Sequence, residues 1–261
     1  MSASATPVGP TGPLTAAERY FFDLYGYVVR RGALGPDELA ELNAGIDALG
    51  LPEPGTDIMS QRYYGHLAKA QCFRDLLDHP AVWEPVLEMC GEFVRLDHAY
   101  GIYMNSGTSG LGLHGGGTPH DPAQYYEVRA GRMYNGLIAA QWALVDHRPG
   151  DGGFGCIPGS HKSEFPRPAE TPRDWIVEIP MRAGDVVIFT EALTHCTLPW
   201  TGAGVRRTLL NKYAPGHLSW GRDYNGDLAA LATSGLLTPR QRVLMDPPSV
   251  YPRTSLRSFG S

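Results

Sequence analysis

From residue 94 onward the chain breaks into short β-prone runs, each closed by glycine, proline or aspartate, and this texture restricts the fold more than any other feature. The runs lie at 94–96, 99–104, 134–145, 154–157, 175–179, 186–189 and 205–213. They are rich in β-branched and aromatic residues between turn formers. Short strands at irregular spacing bury their apolar residues only by pairing into two packed sheets or a barrel. Glycine (32) and proline (22) together make about a fifth of the 261 residues and follow no period, as many tight turns require.

Helices are expected mainly before this region. Thr15 and Glu18 have capping-box spacing at the head of a helix over 15–25. A strand is expected at 27–30. Pro36 opens a second helix over 36–49 with Leu39, Leu42 and Ile46 on one face. A third, over 80–93, carries Val82, Val86, Leu87 and Cys90. Residues 227–246 read as a C-terminal helical extension. Without an internal repeat or linker, the chain reads as one domain over 1–261, with its core at about 19–215 and a flexible lead at 1–14.

Composition excludes several functions. A formal net charge of -5 with no basic cluster argues against a nucleic acid polymer or an anionic membrane as partner. No apolar run approaches the ~20 residues that span a bilayer. Residues 1–14 have neither a basic start nor an apolar segment, so no secretory signal is expected. Four cysteines without C-x-x-C spacing suit a reduced cytoplasmic protein with free thiols. A small-molecule partner remains, with oligomeric state open.

Two histidines stand where strands would deliver metal ligands. His114 precedes Gly115, Gly116 and Gly117, and His195 ends the stretch that begins Gly184-Asp185-Val186-Val187-Ile188-Phe189. Arg206 follows eleven residues later, on the next strand. Neutral imidazoles suit iron, and a guanidinium fork suits the distal carboxylate of a keto diacid. A lone histidine is more often a packing residue, so order and spacing carry the argument.

Several segments extend that order. They are Gly26-Tyr27-Val28-Val29, Gly35-Pro36-Asp37-Glu38-Leu39 and Trp142-Ala143-Leu144-Val145-Asp146, followed by Gly152-Gly153-Phe154-Gly155-Cys156-Ile157-Pro158-Gly159-Ser160-His161-Lys162. With Gly184–Phe189, His195 and Arg206 they resemble the phytanoyl-CoA dioxygenase family of Fe(II)/2-oxoglutarate oxygenases over residues 19–215. The resemblance implies a double-stranded β-helix (a jelly-roll, cupin-like fold) and the use of Fe(II), 2-oxoglutarate and O2. It makes His114 the proximal and His195 the distal iron ligand. It also implies that Arg206 clamps the 5-carboxylate of 2-oxoglutarate, helped by the Thr197 hydroxyl, and that His161 is structural.

One position departs from the family. Its carboxylate ligand lies two residues after the proximal histidine, and Gly116 stands there. No histidine in the chain has Asp or Glu at +2. The preferred expectation is a halide site: chloride restores the missing charge, and glycine leaves room for the anion. The chain then resembles the Fe(II)/2-oxoglutarate halogenases, with the nucleotide-chlorinating group nearest in texture. Two alternatives stay open: a hydroxylase that recruits a distant carboxylate such as Asp121, and a degenerate binding module. The expected substrate is a free metabolite. For an adenine nucleotide, Tyr63, Tyr64, Tyr125, Tyr126 and Trp200 are candidates to stack the base, and Arg30, Arg31, Arg62 and Lys212 to meet the phosphate.

Overall fold

The computed structural model describes residues 9–57, 59–116, 121–221 and 226–260. In chain order the elements are α1 (Ala16–Tyr25), β1 (Tyr27–Arg30), α2 (Pro36–Ala48), β2 (Gln61–Tyr63), α3 (Gln71–Asp75), α4 (Trp83–Cys90), β3 (Arg95–Met104), β4 (Leu111–His114), β5 (Tyr126–Arg129), β6 (Arg132–Asn135), β7 (Ile138–Ala143), β8 (Gly153–Cys156), β9 (Val177–Glu178), β10 (Val186–Thr190), β11 (His195–Leu198), β12 (Arg206–Ala214), α5 (Gly226–Ala232) and α6 (Pro239–Leu244).

Two antiparallel sheets form a jelly roll. The larger has the order β1-β10-β7-β12-β3-β2, the smaller β4-β11-β8-β9, and β5-β6 is a separate hairpin. Side chains alternate across the large sheet and give it two roles. On its outer face Ile138, Ala140, Trp142, Val186, Ile188, Leu209 and Tyr213 join Leu42, Ile46, Phe73 and Val86 of α2–α4 in the main core. Burying each large aliphatic or aromatic side chain there stabilises the fold by ~1.5–3 kcal/mol. On its inner face Ala139, Ala143, Val187 and Phe189 meet Phe154 and Cys156 of the small sheet. Further along that inner face the lining becomes polar, and there the site lies.

The capping box at Thr15 and Glu18 is present. Elsewhere several boundaries differ from expectation for local reasons. The run at 134–145 splits into β6 and β7 at Gly136, whose N–H bonds Tyr125 O and where a Cβ would stand 2.2 Å from Ala123 O. The expected helix over 227–246 is two short helices, because Thr238 caps Gln241 N–H with Pro239 in the first turn and so starts α6 afresh. The run at 175–179 supplies only the two-residue strand β9, after a single 3-10 turn. Of the expected flexible lead, residues 1–8 lie outside the described residues. Residues 12–14 are tied down: the Arg30 guanidinium donates to Gly12 O and Pro13 O, and Leu14 is buried. The four cysteines are free, and Cys72, Cys156 and Cys196 are buried.

Candidate active site

The small sheet brings the two histidines together. His195 opens β11 directly opposite His114 at the end of β4, and their ring centroids are 4.2 Å apart. Each Nδ1 faces a backbone carbonyl two residues upstream, Gly112 O at 2.8 Å for His114 and Leu193 O at 2.7 Å for His195. A carbonyl only accepts, so each Nδ1 carries the proton and each Nε2 presents a lone pair. That tautomer is the one a metal needs. Burial pushes His195 down to about 4, although Glu191 acts in the opposite direction, so the ring stays neutral.

A carboxylate accompanies them. Glu191 sits in the turn between β10 and β11, closed by the Leu193 N–H to Thr190 O bond. Its Oε1 is 3.9 Å from His195 Nε2 and is also bonded by the Lys212 ammonium. Both charged groups are buried. Burial alone would raise the Glu191 carboxyl, but Lys212 and the two histidines outweigh it and hold it at about 2. The carboxylate is therefore ionised at any working pH. Among the described residues, no three His, Cys, Asp or Glu side chains close tightly enough around one point to form a metal shell as placed.

On the facing sheet, β12 alternates so that Arg206, Thr208, Leu210 and Lys212 point inward. Arg206 is 0% exposed, and its only side-chain hydrogen bond among the described residues is a weak one from Nη1 to the Met104 sulfur at 3.5 Å. Among the described residues no carboxylate pairs with it. Burial lowers its guanidinium to about 10, which still leaves it charged. Among the described residues its Nε is unpartnered, as are the buried Thr208 Oγ1 and Gln141 Nε2 on the same inner face. Buried donors without acceptors are costly and mark a place for a ligand. Thr197 shares the inward face of β11 with His195. Arg207 points outward and bonds Asp47 at 2.7 Å.

The other sequence candidates are dispersed. Gly116 has φ +80°, and its N–H bonds Glu191 O at 3.2 Å. Asp121 caps its own turn, with Oδ1 accepting from Ala123 N–H at 2.8 Å. His161 is structural in placement: its Nε2 lies 3.1 Å from Asp23 O and its ring packs on Tyr126. Among the proposed base-stacking residues, Tyr63 is core, Tyr126 bonds Asp23 and Trp200 bonds Gly204 O. Arg30 and Arg31 are spent on Glu18 and Asp185. Arg62 covers the Tyr100 ring, and Tyr64 lines a cavity of about 1100 Å³ with His66, His98, Asp227 and Leu231. His98 lines that cavity and sits opposite Lys212, the partner of Glu191, in the β3–β12 ladder.

The profile of the phytanoyl-CoA dioxygenase (PhyH) family matches residues 22–208, most of the chain and all of these elements from β1 to Thr208. The chain belongs to that family. As a member of the phytanoyl-CoA dioxygenase family it is similar to HygX from Streptomyces hygroscopicus, solved with nickel and 2-oxoglutarate bound, at 26% identity and TM-score 0.70, covering 80% of this chain and 90% of HygX. The carbocyclase SnoK from nogalamycin biosynthesis shares the fold at 20% identity and TM-score 0.64, covering 92% of this chain and 97% of SnoK. Comparison with curated protein sequences gives no significant match. The residues present fit the iron and 2-oxoglutarate of the family: two aligned imidazole lone pairs for the metal, and an unpaired buried guanidinium for a carboxylate.

Sequence patterning missed Glu191, Thr208 and Gln141, and offered Lys212 only as a phosphate contact. The signal for Lys212 and Thr208 was their even spacing from Arg206 on one strand. Glu191 had none, since only a turn brings it back to His195.

Proposed function

We propose that this phytanoyl-CoA dioxygenase-family protein uses Fe(II) and 2-oxoglutarate to oxidise a C–H bond of a free small molecule. His114 and His195 hold the metal, and Arg206 receives the 5-carboxylate of 2-oxoglutarate, with Thr197 at its side. The observation that carries this reading is the buried Arg206 charge, which has no acidic partner among the described residues and lies across the jelly roll from two imidazoles with free Nε2 atoms. When bound, iron and 2-oxoglutarate supply activation of O2 and abstraction of a hydrogen atom. The chain's own part is positional: it orients the imidazoles through carbonyl hydrogen bonds, anchors the keto acid, and keeps the inner face of the sheets dry.

The cavity bounded by Tyr64, His66, His98, Asp227 and Leu231 is the proposed substrate pocket. Its described lining includes a carboxylate and no lysine or arginine, which suits a neutral or cationic molecule better than a nucleotide phosphate. HygX has also been solved with hygromycin B bound, a precedent for a free small molecule as ligand.

Chlorination is the second reading. Gly116, without a Cβ at the +2 position, is the observation that favours it, and chloride would then join the iron site. Anaerobic titration with Fe(II) and then 2-oxoglutarate should give a visible charge-transfer band. Exposure to O2 with a panel of metabolites should release succinate and yield a product whose mass shows either added oxygen or chlorine in place of hydrogen. Absence of both metal binding and succinate would overturn the proposal.

A further inference from the structure

Between β7 and β8 the chain buries an imidazole with nothing to bond. His147 is 1% exposed, and among the described residues neither its Nδ1 nor its Nε2 has a hydrogen-bond partner. We propose that His147 is a second anchor for the distal carboxylate of 2-oxoglutarate, giving a ring N–H to it beside the Arg206 guanidinium. This rests on the assignment of Arg206 to that carboxylate.

A packing role does not account for the residue. Its backbone is fixed by an exchange with Met181: His147 N–H donates to Met181 O at 2.7 Å, and Met181 N–H to His147 O at 3.0 Å. The ring meets Trp200 edge to face, with centroids 5.4 Å apart and planes at 71°. Trp200 is itself fixed by its Nε1–H bond to Gly204 O. Phenylalanine or leucine would fill that space without burying two polar atoms unpaired, which is costly.

The position indicates the partner. Gly153, with φ +93° at the start of β8, has no Cβ, and one built there would stand 3.3 Å from His147 Nδ1 and 3.3 Å from Arg206 Nε. The two nitrogens thus border one small space that the glycine leaves open. Arg206 Nε is unpartnered as well among the described residues. Burial, and after it the Arg206 charge, hold His147 well below the ordinary histidine value, so the ring is neutral and carries one N–H. A neutral second donor suits the place, because a second cation would repel Arg206. A guanidinium and an imidazole at one space can each donate to an oxygen of the same carboxylate, with Nδ1 as the donating nitrogen of His147.

The test is anaerobic titration of the Fe(II)-loaded protein with 2-oxoglutarate and, separately, with pyruvate, which has the keto-acid end without the distal carboxylate. The unfolding temperature of the metal-free protein is measured alongside. Wild type, His147→Leu, His147→Gln and Arg206→Leu are compared. His147→Leu should weaken 2-oxoglutarate about tenfold and leave pyruvate within about twofold of wild type. It should also keep or raise the unfolding temperature, because two unpaired polar atoms are gone. His147→Gln, whose amide N–H replaces the donor, should lie between wild type and His147→Leu. If His147→Leu does not fold, His147→Phe, which keeps a ring against Trp200, carries the same expectations. Binding of 2-oxoglutarate within about twofold of wild type in His147→Leu, while Arg206→Leu loses it, overturns the proposal. So does equal weakening of 2-oxoglutarate and pyruvate, which would place the effect of His147 away from the distal carboxylate. Unchanged 2-oxoglutarate affinity in Arg206→Leu would instead overturn the assignment of Arg206 beneath it.

Discussion

His114 and His195 face each other across the β4–β11 ladder, each anchored through Nδ1 to the carbonyl two residues upstream, so that both Nε2 atoms are free on the same side. Neither Nε2 has a hydrogen-bond partner in the protein among the described residues. Replacing either ring by alanine should therefore abolish tight Fe(II) binding while shifting the metal-free unfolding temperature little. Paired Fe(II) titration and thermal unfolding check this. Near-normal iron affinity and succinate production in either variant would refute the assignment.

Arg206 and Arg207 are neighbours on β12 with opposite surroundings. Arg206 is buried on the inner face of the sheet, and Arg207 reaches Asp47 on the outside. A charge-assisted pair with a carboxylate contributes ~1.5–3 kcal/mol, so Arg206→Leu should weaken 2-oxoglutarate roughly ten- to a hundred-fold. Arg207→Leu should leave 2-oxoglutarate binding unchanged, since the outer ion pair is partly exposed and contributes little. Calorimetric titration of 2-oxoglutarate into the metal-loaded proteins distinguishes the two. The reverse pattern would mean that the keto acid binds elsewhere.

Legibility followed the range of the interactions. The strand runs, the Thr15 cap and the order His114…His195…Arg206 are local or periodic. Boundaries set by distant atoms were not legible: Gly136 breaks a strand because Ala123 packs against it. The carboxylate was missed for the same reason. A motif search looks at +2 from the proximal histidine, whereas Glu191 reaches the site through a turn and an ion pair with a residue 21 positions away. The glycine at +2 was read as room for a halide; its φ of +80° and its bond to Glu191 O also make it a turn residue.

Buried histidines remote from the ligand pair contribute to the response to acid, His147, His66 and His161 among them. Burial lowers His66 to about 4, between the Tyr63 and Phe73 rings. His161 is also lowered by burial to about 4, despite its bond to Asp23 O. Both are depressed below the ordinary histidine value, so between about pH 6.5 and 4 the unfolded chain binds more protons than the folded one. Stability is then intact above 6.5 and falls with acidification by about 1.4 kcal/mol per pH unit for each histidine fully within that window. Unfolding free energies measured from pH 7 to 4 should show this slope, and it should shrink in His161→Gln. A flat profile would mean that these rings take up protons while folded.

Gly116 is the position on which the chlorination reading turns. At φ +80° any L residue is strained by about 1–2 kcal/mol. A Cβ there would also stand 2.6 Å from Thr194 Oγ1, beside the turn that holds Glu191. Gly116→Asp should therefore lower the unfolding temperature. With a halide site, wild type gives a chlorinated product in proportion to chloride, and Gly116→Asp keeps iron but loses chlorination. Without one, wild type gives an oxygenated product and turnover is indifferent to chloride. Fe(II) titration of the variant, alongside product mass from wild type with and without chloride, separates the two. An exclusively oxygenated wild-type product at saturating chloride would sink the halide site.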